Sequence, residues 1–472
     1  MPELVSDILY WFNIFVLYYF LSLNTIYLIL IILSFIFIRK ALKLKKVYDL
    51  SGIYKSNLYK SVSILCPAYN EKSTIVDSVY SLLNLHFSNY EVIIINDGST
   101  DDTLEILIKE FELYPVEQFI PQIIKHQPIT GVYVSDRYPE LTVVDKINGH
   151  KADALNAGVN AAKNELICSL DSDSVLESKS LQYMLRAFIE DKDTVAVGGI
   201  VRVVNGCSFH NGELKQIKTP DNFWARIQAV EYLRAFIFGR VGWNYFNGLL
   251  IISGAFGIFD KKSVIKVGGY LQNTVGEDVE LVVRLHRLYR HLNIPYNIKF
   301  IPEPVCWTEV PETYKHLQRQ RSRWQRGLAD TMWRHKKMLF NPRYGLLGFL
   351  PVPFFTFYET LGPVIEFLGY ITVAVSLIFG IINYEFAILF FIVAILFGMI
   401  LSIFAIICEE FTYRKYTHSK DILILGLYSF FENFGYRQLH AWWRVKGIVD
   451  FIMGKDGWGN MKRKGINKHT VS

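Results

Sequence analysis

The chain has 472 residues, of which 51% are hydrophobic, 15% aromatic and 20% charged, and its mean hydropathy is positive. That composition excludes a disordered or collagen-like chain and argues against an ordinary water-soluble enzyme. Lys and Arg total 50 against 44 Asp and Glu, a net +6, too small an excess to coat a phosphate backbone, so no nucleic-acid partner is expected.

In chain order, the first element is an apolar run from Trp11 to Ile38. At about 1.5 Å per residue it exceeds the roughly 30 Å of a bilayer core and predicts one spanning helix. Glu3 and Asp7 precede it, while Arg39, Lys40, Lys43, Lys45 and Lys46 follow it. The positive-inside rule then puts the amino terminus outside and the following domain in the cytosol. Cys66, Cys168, Cys207, Cys306 and Cys408 are scattered without a C-x-x-C and read as reduced thiols, not as a zinc site.

Val62–Leu65 and Val92–Ile95 are β-branched runs followed by helical patterns, Thr74–Leu85 and Asp101–Phe111. Leu141–Val144, the Ala-rich helix Ala152–Lys163 and Leu166–Leu170 continue the alternation, which predicts a parallel sheet covered by helices. Ligands in such sheets bind beyond the carboxyl ends of the strands. The polar groups there are Pro67-Ala68-Tyr69-Asn70-Glu71, Asn96-Asp97-Gly98-Ser99 and Asp171-Ser172-Asp173. No phosphate loop of the G-x-x-x-x-G-K-[ST] type and no G-x-G-x-x-G after a strand occurs, which removes most support for nucleotide hydrolysis and dinucleotide binding. Asp171 and Asp173, one residue apart at a strand end, can face one hard divalent cation that takes its other ligands from a diphosphate; a solvated turn has the same pattern. Asp278 opens the helical pattern Val279–Tyr289, where it reads equally as a cap.

Gly254 follows the apolar run Leu249–Ile252, and its small size allows close approach to the backbone. Gln320, Arg323, Trp324 and Gly327 fall on one face of a helix, which a basic helix lying on anionic headgroups would also show. Beyond Tyr344, Ala387–Cys408 and Pro363–Ile382 read as further spans. Leu346–Thr360, with Pro351 and Pro353, reads as a broken, interfacial or re-entrant piece. Ile422–Trp443, with Glu432, Arg437 and His440, reads as either an amphipathic helix or a fourth span. Eight Lys/Arg from Arg437 onward argue for a cytosolic carboxyl terminus, hence two or four crossings after the domain.

Taken in order with His150-Lys151-Ala152-Asp153-Ala154-Leu155-Asn156, Gly276-Glu277-Asp278 and Gln320-Arg321-Ser322-Arg323-Trp324, the three strand-end motifs resemble those of the membrane-embedded processive glycosyltransferases of family 2. Bacterial poly-β-1,6-N-acetylglucosamine synthase-like enzymes are the nearest group, with hyaluronan and cellulose synthases further away. The resemblance implies an α/β GT-A domain inserted between transmembrane helices. It implies that Asp97 binds the uridine of a UDP-sugar, that Asp171 and Asp173 hold Mg²⁺ or Mn²⁺ on the diphosphate, and that Lys151 contacts the nucleotide or phosphate. It implies that Glu277 and Asp278 form the catalytic acid pair, with Asp278 as general base. Gly254 lines the acceptor site, Gln320 and Arg323 serve the diphosphate side, and Trp324 stacks on the acceptor sugar. Gly276 stands where many relatives carry Thr, which touches acceptor preference more than catalysis.

The expected organisation is an amino-terminal helix and basic segment (1–46), the GT-A domain (47–311), an interface helix (312–343), membrane and interface helices (344–443) and a basic tail (444–472). The expected activity is inverting polymerisation of a UDP-hexose such as UDP-GlcNAc into a β-linked exopolysaccharide. The growing polysaccharide is the acceptor, and the chain is coupled to export through a multi-pass cell-membrane protein, with accessory export proteins as further partners. The alternative is single transfer to a lipid or polyprenyl-phosphate acceptor.

Overall fold

A computed structural model describes residues 3–47, 60–210, 213–380, 384–416 and 418–455; the tail beyond 455 lies outside them. The chain forms two compact units. One gathers Met1–Ile38, Asn222–Tyr245 and Pro311–Asn460 within the described residues, and the other gathers Arg39–Asp221 and Phe246–Val310. The segment Asn222–Tyr245 thus groups with the helical unit although it falls inside the 47–311 stretch.

The second unit is built on a ten-stranded sheet. Its strands are β1 (Val62–Ala68), β2 (Tyr90–Asp97), β3 (Tyr114–Pro115), β4 (Ile129–Val134), β5 (Leu141–Lys146), β6 (Leu166–Leu170), β7 (Ser174–Leu176), β8 (Thr194–Val203), β11 (Phe256–Asp260) and β12 (Asn297–Thr308), in the order β3-β4-β5-β2-β1-β6-β11-β8-β12-β7. Two further strands, β9 (Ser208–His210) and β10 (Glu213–Gln216), pair separately. The β5-β2-β1-β6 half is parallel, as the alternating pattern predicts. In the other half β8 and β12 are again parallel to each other, but β11, between β6 and β8, runs antiparallel to both. The sheet is therefore mixed, because β11 is entered from the non-helical stretch 247–255 and a parallel neighbour would need a crossover helix. Gly254 accordingly precedes a strand instead of following one.

Helices α1 (Glu3–Val47), α2 (Ile75–Leu83), α3 (Thr103–Glu110), α4 (His150–Ala161), α5 (Ser180–Glu190), α6 (Phe223–Ile237), α7 (Lys261–Lys266), α8 (Glu277–Leu292) and α9 (Tyr314–Arg334) are divided between the units. Helix α4 is buried from Ala152 to Ala161 and packs on β1 and β2. A Cβ on Gly158 would lie 3.0 Å from Ile95 and 3.2 Å from Leu65, so the small face of this helix sets how closely it lies on the sheet.

In the helical unit, Asp7–Lys43 of α1 is long and apolar enough to cross a membrane. Leu346–Thr360 and Gly362–Ile378 meet that test only as a pair bent by 40° at Leu361; Pro351 and Pro353 lie upstream of that bend, where Leu350 separates the short helices Leu346–Phe349 and Pro351–Pro353. Ile422–Trp443 is neither one amphipathic helix nor one unbroken span. Helices Ser419–Phe431 and Arg437–Ile452 flank a break at Phe434 and Gly435, where Gly435 takes φ +81°. Only glycine adopts that conformation without strain.

Candidate active site

Parallel strands β1, β2, β5 and β6 end at one edge of the sheet, and the loops that follow them are tied together there. Asn70 Oδ1 accepts the Thr100 N–H at 2.8 Å, the Asn70 N–H donates to Ser99 Oγ at 3.0 Å, and the Glu71 N–H donates to Thr103 Oγ1 at 3.0 Å. Asn70 sits at φ +57°, a conformation Asn tolerates better than most residues. Asn70 and Glu71 therefore act as braces between loops.

Asp97, the last residue of β2, is buried. Its Oδ1 accepts from Lys146 Nζ at 2.6 Å and from the Gly149 N–H at 3.0 Å, while its carbonyl accepts from Asn148 Nδ2 at 2.7 Å. Burial lifts the Asp97 carboxyl above the ordinary aspartate value, against the pull of Lys146 and the Gly149 N–H. The loop after β5 is thus wrapped around Asp97, and the wrap needs glycine. A Cβ on Gly98 (φ +63°) would lie 2.7 Å from the Asn148 nitrogen, and one on Gly149 would strike Asp153.

Lys146 was not legible as a site residue. Its ammonium, 0% exposed, also lies 2.7 Å from Asp153 Oδ2 and donates to the Ile147 carbonyl at 2.6 Å, so its three protons have three acceptors. Asp153 in turn accepts the Gln127 N–H at 3.0 Å and Gln272 Nε2 at 2.9 Å. The one sequence signal was a lysine closing a strand whose other inward positions are apolar, Leu141, Val143 and Val144.

Asp171 and Asp173 flank the turn from β6 into β7, with Asp173 buried and the Asp171 side chain 29% exposed. Lys151, on the first turn of α4, places its ammonium 2.5 Å from Asp171 Oδ1, 3.7 Å from Glu277 Oε1 and 3.3 Å from the Gly254 carbonyl. Burial alone would lower the Lys151 pKa; Asp171 and Glu277 outweigh it and hold it above the usual lysine range. The Gly254 N–H donates to Asp278 Oδ2 at 2.9 Å, and Asp278 Oδ1 accepts the Val279 N–H at 2.9 Å. The residue capping α8 is Gly276, without a side-chain bond; Asp278 stands inside the first turn, aimed at Gly254. The structure thus brings Lys151, Asp171, Glu277, Asp278 and Gly254 into one cluster.

The donor set can be tested against a metal. Asp171 and Asp173 supply hard oxygen ligands, and among the described residues no group of three or more His, Cys, Asp or Glu could hold an ion. A divalent cation that takes its remaining ligands from a diphosphate and water fits this set, whereas a closed zinc cage does not.

Gln320, Arg323 and Trp324 lie on α9, in the helical unit, and are brought together with each other. Trp324 is 42% exposed, and the Arg321 guanidinium lies 4.5 Å from its ring centre. Arg321 is buried, donates to Glu231 Oε2 at 2.6 Å, and shares that oxygen with the Tyr436 hydroxyl at 2.9 Å. Arg321, read from the sequence only as part of a basic face, is what fixes the Trp324 neighbourhood.

Behind the acidic cluster, His286 on α8 was also missed. Its Nε2 lies 2.9 Å from the Leu249 carbonyl, which can only accept, so Nε2 carries the proton and Nδ1 accepts from the Tyr296 hydroxyl at 2.7 Å. This pins the start of the 249–254 stretch to the helix that carries Asp278.

A family model described as glycosyl transferase family 2 matches residues 63–266, and one described as glycosyl transferase family group 2 matches residues 166–405. The chain is 30% identical over 278 residues to a poly-beta-1,6-N-acetyl-D-glucosamine synthase of Staphylococcus epidermidis, covering 58% of this chain and 56% of the relative. It is 30% identical over 269 residues to the probable glycosyltransferase YdaM of Bacillus subtilis, covering 56% and 54%. The match therefore spans little more than half the length of these relatives. Among solved structures, the mannosyltransferase PcManGT from Pyrobaculum calidifontis, in complex with GDP-Man and Mn²⁺, superposes with a TM-score of 0.51 at 13% identity over 90% of this chain and all of its own. That likeness establishes a GT-A type of fold.

Proposed function

Because the chain belongs to the family 2 glycosyltransferases, we propose that it polymerises a UDP-activated hexose, UDP-GlcNAc foremost, into a β-linked exopolysaccharide at the cytosolic face of the cell membrane. The chain is an enzyme, a glycosyltransferase; the donor, the processivity, the multi-pass topology and the coupling to export are the proposal. The observation that carries it is the convergence of Asp171, Glu277, Gly254 and, through Gly254, Asp278 around the Lys151 side chain. A donor diphosphate and an acceptor hydroxyl need such groups gathered within contact distance of one small volume. The synthase name of the staphylococcal relatives supports the polymer. The GDP-Man and Mn²⁺ in the mannosyltransferase complex support a nucleotide-sugar donor with a divalent cation.

In this reading Asp97 and the loop wrapped around it hold the uridine, and Asp171 with Asp173 would hold Mg²⁺ or Mn²⁺. When bound, that cation supplies positive charge to the leaving diphosphate. Asp278, aimed by the Gly254 N–H, takes the proton from the acceptor hydroxyl. The freed oxygen bonds to the anomeric carbon from the face opposite the diphosphate, and UDP leaves with the electrons of the broken bond. Glu277, buried beside Lys151, positions that ammonium. Gln320 and Arg323 serve the diphosphate side and Trp324 stacks on the acceptor sugar.

The test is to incubate detergent-purified protein with UDP-sugars and Mn²⁺ and measure UDP release and product size. High-molecular-weight, glycosidase-sensitive product is expected. UDP release with only a single sugar added to a lipid acceptor would establish the non-processive alternative, and no turnover with any UDP-sugar would overturn the donor.

A further inference from the structure

Lys151 stands where the proposed reaction needs a different cation. Its ammonium lies 2.5 Å from Asp171 Oδ1, an oxygen of the carboxylate that the proposed site offers to a divalent ion. A carboxylate oxygen held that closely by an ammonium cannot also bind Mg²⁺ or Mn²⁺ well, because the two cations repel across it. Lys151 is also in an unfavourable place for a lysine, the first turn of α4, where the helix end is itself partly positive and where His150 beside it takes φ +70°. Its acidic neighbours offset that disadvantage. Two of its contacts, Glu277 at 3.7 Å and the Gly254 carbonyl at 3.3 Å, belong to the acceptor side of the cluster, so the side chain can release Asp171 and stay in the site.

We infer that Lys151 is a displaceable counter-ion, which neutralises Asp171 before the donor arrives and moves from it onto the diphosphate when the donor binds with its divalent ion. This rests on the reading of Asp171 as a cation ligand. It makes Lys151 the residue that couples metal binding to nucleotide binding: without nucleotide the ammonium competes for Asp171, and with nucleotide it has a new anionic partner. Free metal then binds weakly, free UDP binds weakly, and each tightens the other by the same factor, as linkage requires.

The test is a titration of Mn²⁺, followed by electron paramagnetic resonance or calorimetry, on the full chain in detergent with and without UDP. Lys151→Met should bind Mn²⁺ without UDP roughly 10-fold more tightly than the wild type, and the factor by which UDP tightens Mn²⁺ should shrink by a similar amount. Lys151→Gln, which keeps a donor for the Gly254 carbonyl and lacks the charge, should behave like Lys151→Met. Lys151→Arg should retain the wild-type pattern. Melting curves confirm that each variant is folded, and the Gln variant carries the test if the Met variant is not. Asp171→Asn separates the inference from its premise. If Asp171→Asn loses Mn²⁺ binding while the two uncharged variants bind it no more tightly than the wild type, the counter-ion role is wrong and the metal site stands. If Asp171→Asn leaves Mn²⁺ affinity unchanged, both are wrong.

Discussion

The two units bury charge in different ways. In the sheet unit, ionisable groups gather at strand ends: Asp97, the last residue of β2, pairs with Lys146, the last of β5, and Asp171, just past β6, pairs with Lys151. In the helical unit they sit within helices and pair across elements far apart in sequence: Arg321 with Glu231, Arg437 with Glu366, Arg444 with Glu359 and Arg234 with Glu432. Asp97 and Lys146 close off each other's charge, but Asp171, 29% exposed, leaves one side open to a ligand, while helix-to-helix charge is spent on the protein itself. Substitution should therefore cost activity at the Asp171 cluster and folding at the helix pairs.

The largest effect expected on the sheet side is at the paired aspartates. Asp171→Asn or Asp173→Asn should remove UDP release to below detection, and EDTA should do the same to the wild type. Unchanged turnover in either variant, or in EDTA, would put the reaction outside this cluster. Next comes Asp278→Asn, expected to keep UDP affinity while transfer falls by a factor of roughly 10² to 10⁴. Because Gly276 caps α8, a silent substitution could not be ascribed to asparagine replacing a cap, and it would remove Asp278 from the mechanism. Both variants should melt near the wild-type temperature, the signature that the comparison assigns to strand-end charge.

Arg321→Met tests the other side. It leaves Glu231, 12% exposed, with the Tyr436 hydroxyl and only the more distant charge of Arg234, and breaking a largely buried pair in this way costs up to about 3–5 kcal/mol. A large fall in melting temperature is expected, with Glu231→Gln falling similarly and the double variant Arg321→Met/Glu231→Gln recovering part of the loss. Wild-type stability with lost polymer would instead make Arg321 part of the acceptor site through its stacking on Trp324.

What the sequence disclosed follows the same division. β1, β2 and β6 were legible because β-branched runs end abruptly in polar residues, and the three strand-end motifs marked the edge where those strands finish. β11 was not, since an antiparallel strand entered from an irregular stretch carries no helix to announce it. Lys146 and His286 escaped for a shared reason. Each takes its role from partners outside any local motif, Lys146 from Asp153 and Asp97, 7 and 49 positions away, and His286 from Tyr296 and Leu249, 10 and 37 positions away, which no local spacing encodes. The pairs of the helical unit are hidden in the same way.

His286 gives the smallest effect and the sharpest test, because it is a buried group of the sheet unit that touches no proposed substrate. Burial lowers its pKa from an ordinary 6.5 to about 4, with Arg290 pushing the same way and the Leu249 carbonyl opposing. The folded state therefore prefers the neutral ring. Above about pH 6.5 both folded and unfolded chains hold it neutral, and its contribution to stability is fully present. Between about 6.5 and 4 the unfolded chain takes up the proton and the folded one resists, so stability falls with falling pH, by roughly 3 kcal/mol across the window if the shift is complete. Denaturant melts of the wild type and His286→Gln between pH 7.5 and 4.5 should converge: the variant is weaker at pH 7.5, where it loses part of the Leu249–Tyr296 bridge, and flatter on acidification. Parallel curves would mean that His286 titrates normally. If the curves converge but UDP affinity at pH 7.5 also drops in His286→Gln, the pin on the 249–254 stretch reaches the site through Gly254, and the division between charge for folding and charge for chemistry breaks down inside the sheet unit itself.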